Sequence, residues 1–169
     1  MQRILIIGSG GAGKSTLARQ MGILLGLPVI HLDQLYWQPG WIETPREIWL
    51  EKVLEIVQTP SWIMDGNFGS TLDIRLQAAD TAIFLDMPAW LCILRVLKRQ
   101  LMYRNQTRPD MGAGCPEKVD WEFLQWIWRF PHDDRPEIER KLAYHRHTKR
   151  IIVLRTSREM NRLLHQLQP

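Results

Sequence analysis

The sequence predicts an α/β fold with five parallel strands in one sheet and helices covering it. Three observations predict it. Five short apolar runs alternate with helix-compatible stretches, the pattern of strands joined by crossover helices. The first run, ILII at Ile4–Ile7, is continuously apolar, as a strand buried on both faces requires. A glycine-rich stretch then leads directly into STLARQMGILL, which suits a helix.

The strands are expected at RILII (3–7), PVIHL (28–32), SWIMD (61–65), TAIFLD (81–86) and RIIVL (150–154). Two long intervals interrupt the alternation. Residues 33–59 contain the helix-compatible PREIWLEKVLEIV, and residues 105–144 are rich in arginine and tryptophan. Long insertions on a compact α/β core serve more often as lids or substrate-holding elements than as disordered loops. One domain of 169 residues is therefore expected, with a core of 1–32, 60–104 and 145–169, an insertion at 33–59 on the acceptor side and a lid at 105–144.

Composition excludes several classes. Hydrophobic residues make up 45% and charged residues 24%, which is ordinary globular usage rather than that of a disordered chain. No cleavable leader and no apolar run of membrane-spanning length is present, so a cytoplasmic protein without a membrane partner is expected. Cys92 and Cys115 have no ligand-like spacing, and the HRH at His145–His147 reads as a solvated helix face. The net charge of +4 is uneven: −3 over residues 1–94, +5 over 95–150 and +2 over 151–169. An arginine-dominated basic segment points to phosphate recognition. A nucleic-acid footprint is the other meaning of such a segment, but no helix-turn-helix, zinc finger or basic arm accompanies it.

The glycine-rich stretch carries the chemistry. Gly8, Ser9, Gly10, Gly11, Ala12, Gly13, Lys14 and Ser15 satisfy the phosphate-binding P-loop pattern, with Thr16 following. Glycines let the loop turn its N–H groups inward around an anion, and the helix start adds its positive dipole end. Lys14 is expected on the β- and γ-phosphates of ATP, and Ser15 on Mg²⁺.

The chain resembles the adenylate-kinase-like branch of the P-loop kinases. Asp65-Gly66-Asn67-Phe68 resembles the D-G-x-x segment those enzymes carry after their third strand. Arg95 and Arg99 lie seven and eleven residues beyond Pro88, in the register of the family's first arginines. Arg129, Arg140 and Tyr144-His145 reproduce the spacing of its later ones. The stretches HLDQLYWQPGW, DGNFGSTLDIRL, RPDMGAGCPE and FLQWIWRF are similar to a bacterial group labelled DNA topology modulation proteins, also called FlaR-related. Adenylate kinase's D-G-F-P-R is replaced by D-G-N-F with the next arginine at Arg75, a departure that leaves the acceptor open.

The resemblance implies ATP·Mg²⁺-dependent transfer of the γ-phosphoryl group to a small acceptor, a nucleoside, a nucleotide or another hydroxylated metabolite. The alternative is an ATP-binding regulator acting on DNA topology. Asp65, at a strand end, is expected to hold Mg²⁺ through water or to cap the turn before Gly66. Asp33 is expected to orient the acceptor hydroxyl and accept its proton, or to cap the segment after it. Trp37 and Trp41 offer either a stacking face or a small local core. Arg95, Arg99, Arg129 and Arg135 are the candidate phosphate-stabilising arginines, with Arg104, Arg108 and Arg140 as further lid candidates. WEFLQWIWRF has too many apolar positions for one wet face and reads as packing under the lid. RPDMGAGCP, rich in glycine and proline, is expected to be its mobile part.

Overall fold

The computed structural model describes residues 1–104, 106–118 and 120–168. Asn105 and Val119, in the expected lid, and Pro169, at the end of the expected core, lie outside the described residues.

Five strands form one parallel sheet: β1 (Arg3–Gly8), β2 (Val29–His31), β5 (Trp62–Asp65), β6 (Thr81–Leu85) and β7 (Arg150–Leu154), in the order β2-β5-β1-β6-β7. All five expected strands are present. β2 is shorter than expected because Leu32 already begins a short helix, α2 (Leu32–Tyr36). A hairpin follows, β3 (Trp37–Gln38) paired with β4 (Ile42–Glu43). The other helices are α1 (Lys14–Leu25), α3 (Arg46–Val57), α4 (Leu72–Ala78), α5 (Ala89–Met102), α6 (Trp121–Asp133), α7 (Arg135–His145) and α8 (Ser157–Gln166). Pro45 and Pro88 sit at the N-caps of α3 and α5, just before the helical positions that can spare an N–H.

Side chains alternate across a strand, so each strand feeds both faces of the sheet. Ile4 and Ile6 join Ile63 and Ile83 under α1, α5 and α8. Leu5 and Ile7 join Met64, Ala82 and Phe84 on the opposite side, under α3, α4 and α7. α6 serves both: Ile127 is buried in the first cluster and Phe130 in the second.

The interval 105–144 is therefore not one lid. α6 and α7 are core elements, consistent with the apolar excess of WEFLQWIWRF. What remains between α5 and α6 is the connection 103–120. In this structure the strip, glycines included, is fastened to the hairpin. Gly40 donates to the Gly114 carbonyl at 3.0 Å, Trp41 Nε1 donates to the Pro116 carbonyl at 3.1 Å, and Cys115 Sγ donates to the Gln38 carbonyl at 3.1 Å. Gln34 Nε2 donates to the Pro109 carbonyl. Gly112 is required by this docking, since any Cβ there would overlap the Trp37 carbonyl.

Candidate active site

The phosphate loop leaves the carboxyl end of β1 and ends in α1, whose N-cap is Gly13. Gly11 has φ +76°, and a Cβ on it would drive into the Cys92 carbonyl of α5, so the loop admits no side chain there. The Lys14 ammonium donates to the Ser9 carbonyl at 2.9 Å, folded back over its own loop. Burial pulls the Lys14 pKa down, while the Asp33 and Asp65 carboxylates pull it up, and burial prevails. Ser9 Oγ is buried and has no partner among the described residues. A loop whose helix-start N–H groups lack intrahelical partners, beside a desolvated ammonium and an orphaned hydroxyl, fits the phosphates of a nucleotide.

Two carboxylates occupy the adjoining strand ends, as expected at the carboxyl edge of a parallel sheet. Asp65 ends β5 and is 4% exposed. Its Oδ1 lies 2.5 Å from Nδ1 of His31, which is paired with it in register across β2 and β5. Burial disfavours the His31 cation, but the hydrogen bond and charge of Asp65, with help from Asp110, outweigh it and raise the imidazole pKa. Asp33 stands in the first turn of α2. Burial lifts its carboxyl above the usual range, against the opposing pull of Lys14.

The segment after Asp65 is stapled by an arginine. Arg75 is 0% exposed and donates to the Gly66 carbonyl (3.0 Å), the Phe68 carbonyl (2.6 Å) and Thr71 Oγ1 (3.2 Å). Burial pushes its pKa down to about 9. Its guanidinium shapes the D-G-N-F turn from within.

Of the arginines singled out in the sequence, Arg95, Arg99 and Arg108 reach the site. Arg95 donates to the Ala12 carbonyl at 3.1 Å and to Ser157 Oγ at 2.9 Å, tying the phosphate loop to α8. Arg99 donates to Glu117 at 2.7 Å. Arg108 donates to the other oxygen of Glu117 at 2.5 Å and to Asp110 at 2.7 Å. Burial alone would raise the Asp110 carboxyl, but Arg108 and the Ser15 hydroxyl hold it below the ordinary range. Arg129 and Arg135 require a correction. Arg129 is 71% exposed and faces Asp133 one turn along α6. Arg135 is engaged by Glu139 and Asp86. Neither lines the cavity beside the loop: α6 presents Phe123 and Trp126 to it while Arg129 lies on the exposed side of that helix, and Arg135 is drawn to Asp86 and Glu139.

That cavity holds about 1120 Å³, within the range of a ligand cleft or slightly above it. Lys14, Ser15, Thr16, Arg95 and Arg99 line one part; Asp33, Trp37, Trp41, Glu43, Asn67 and Phe68 line another. Trp37 and Trp41 meet edge to face at 5.5 Å, and Tyr36, Trp49 and Phe68 form a cluster behind them. The two tryptophans thus both pack locally and face the cavity. His31, Asp110 and Glu117 were missed from the sequence. His31 was signalled only by its place beside Asp33 at a strand end, and the other two by RPDMGAGCPE as a whole.

This sheet order, phosphate loop and flanking helices define the fold of P-loop kinases of the adenylate-kinase-like class, shared with many solved structures. A shikimate kinase from Acinetobacter baumannii in complex with shikimate is similar at TM-score 0.59 and 15% identity, over 99% of this chain and 90% of that one. A gluconokinase from Sinorhizobium meliloti 1021 gives 0.58 and 15%, over 98% and 89%. A deoxyadenosine kinase from M. mycoides with bound dATP gives 0.55 and 13%, over 96% and 97%. No family model and no curated protein matches the chain.

Proposed function

We propose that the chain is a phosphotransferase that moves the γ-phosphoryl group of ATP to a hydroxyl of a small acceptor. One observation carries this reading: the Lys14 ammonium and the Asp33 carboxylate line the same cavity and shift each other's pKa. A phosphate-binding cation and a proton-accepting carboxylate are the two groups such a transfer needs on opposite sides of the reacting phosphorus. The fold's neighbours, kinases of shikimate, gluconate and deoxyadenosine by name, support the same class.

The residue roles follow from position. Loop N–H groups and Lys14 hold the β- and γ-phosphates, and Arg95 keeps the loop in shape. Asp33 orients the acceptor hydroxyl and takes its proton, and its raised pKa makes it a stronger base than a solvated aspartate. Ser15 and Asp65 are the groups proposed to hold Mg²⁺, which when bound neutralises charge developing on the transferred phosphate. His31 fixes the Asp65 carboxylate in place. The reading as an ATP-gated regulator of DNA topology needs cations free to track a phosphate backbone. Arg129, Arg135 and Arg140 instead face carboxylates on their own helices.

The test is Asp33→Asn, which keeps size and removes basicity. ATP affinity is expected to stay within about threefold while acceptor-dependent ADP release falls by about 10²-fold. ADP release that is independent of every acceptor in the wild type and unchanged in the variant would favour the regulator.

A further inference from the structure

One helix turns apolar residues both to the core and to the solvent. On α5, Cys92 and Val96 are buried against the sheet, while Trp90, Leu94, Leu97 and Leu101 are exposed. Their spacing of four, three and four residues puts them on one stripe of the helix, the seam pattern of helices that pack lengthwise. α6 widens this face. It packs on α5, and its Leu124 and Ile127 join Ile93 and Val96 of α5 in the first core cluster, whereas α7 belongs to the second. The edge of α6 that carries Leu124 is therefore the edge toward α5. Trp121 and Trp128, three positions before Leu124 and four after it, continue that edge into the solvent.

These six residues are 42–79% exposed. Together they present roughly 800 Å², more than half of it tryptophan. The largest apolar patch of an ordinary monomer measures about 300–600 Å². Each partner in an interface of standard size covers about 800 Å². The face thus matches one half of a dimer interface.

Symmetry and charge argue for what covers it. A twofold interface needs a surface that complements its own copy. The four-three-four spacing reads the same in either direction, so an antiparallel copy of α5 sets Trp90 against the partner's Leu101 and Leu94 against the partner's Leu97. Flanking charges are of both signs, Lys98 on α5 and Glu122, Arg129 and Asp133 on α6, which offers no single-sign field to nucleic acid or to an anionic lipid surface. We infer that α5 and α6 form the interface of a homodimer, in which α5 lies antiparallel on α5 of a second copy across a twofold axis between Leu94 and Leu97.

Sedimentation equilibrium of the full chain from about 1 to 100 µM tests this. A dimer is expected with a Kd of about 10 µM or tighter, inside the micromolar-to-picomolar range of interfaces this size. Leu94→Glu and Leu97→Lys each place a charge at a position exposed in the monomer, so folding, checked by circular dichroism, is expected to survive. Each is expected to weaken the dimer at least about tenfold, because association buries that charge against an apolar neighbour. Mixed in equal amounts, the two variants are expected to form a heterodimer, since one new carboxylate then meets one new ammonium while leucine still meets leucine across the axis. A wild type that stays monomeric at about 100 µM overturns the inference whatever the variants do. So does a dimer whose Kd is unchanged in either folded variant, and so do two folded variants that remain apart when mixed.

Discussion

Replacing Glu117 by glutamine tests whether the strip between α5 and α6 is held by charge. The side chain is 2% exposed, with one oxygen on Arg99 Nε at 2.7 Å and the other on Arg108 Nε at 2.5 Å. Glutamine retains one acceptor oxygen but turns an NH₂ group toward a guanidinium N–H, so one charge-assisted bond is replaced by two opposed donors. Removing one partner of a buried ion pair costs about 3–5 kcal/mol. The lower end applies here, because Arg108 keeps Asp110 and Arg99 is 24% exposed to solvent. A loss of about 3 kcal/mol, with a urea m-value of about 2 kcal/mol/M, moves the unfolding midpoint down by about 1.5 M. If the strip detaches alone, the loss shows instead as faster hydrogen exchange at the Gly40 amide, bonded to Gly114 across the hairpin-to-strip contact, and at the Cys115 amide, bonded to Gly112 within the strip. A midpoint within about 0.3 M of wild type, together with unchanged protection of those amides, would refute the electrostatic account of the docking.

Lys14→Ala should leave the fold intact and weaken ATP binding by at least about 10²-fold, roughly the two to three kcal/mol of a charge-assisted contact, read by calorimetry. Gly11→Ala forces a Cβ into the Cys92 carbonyl at a left-handed φ, so both thermal stability and ATP affinity should fall. Arg129→Ala, at an exposed pair one turn apart on α6, should change stability by less than about 0.5 kcal/mol and leave ATP affinity unaltered. In a pH profile, acceptor phosphorylation should decline on the acid side as Asp33 gains its proton. Because burial raises that carboxyl, the decline should begin at a higher pH than for a solvated aspartate near 3.8, and Asp33→Asn should abolish the limb.

The sheet was legible because each strand is a local apolar run whose burial on both faces needs no distant information, as Ile4–Ile7 shows. The phosphate loop was legible from its local pattern: the left-handed φ at Gly11 favours glycine, and the Cys92 carbonyl of α5 then leaves no room for a Cβ. Long-range pairing was not. Glu117 is eighteen positions from Arg99 and nine from Arg108, and nothing in the chain between them states that one carboxylate bridges both. Asp65 stands where the sequence put it, yet its companion is His31, fixed by a register between β2 and β5 that only the folded sheet reveals.

The basic middle of the chain shows why a count of charges is a poor guide to a surface. A net +5 over residues 95–150 suggested a set of arginines free to close over phosphates. Folding instead divides these cations by partner. Arg95 is spent on backbone carbonyls of the phosphate loop, Arg99 and Arg108 on Glu117, Arg135 on Asp86 and Glu139, and Arg140 on Glu137. A buried guanidinium needs its hydrogen bonds met inside the protein, so burial selects carboxylates and carbonyls as its neighbours. An arginine that has met that condition shapes a site, as Arg75 shapes the turn after Asp65, while recognition of an incoming anion falls to the groups that have not. In this chain the loop N–H groups and Lys14 are such groups on the nucleotide side of the cavity.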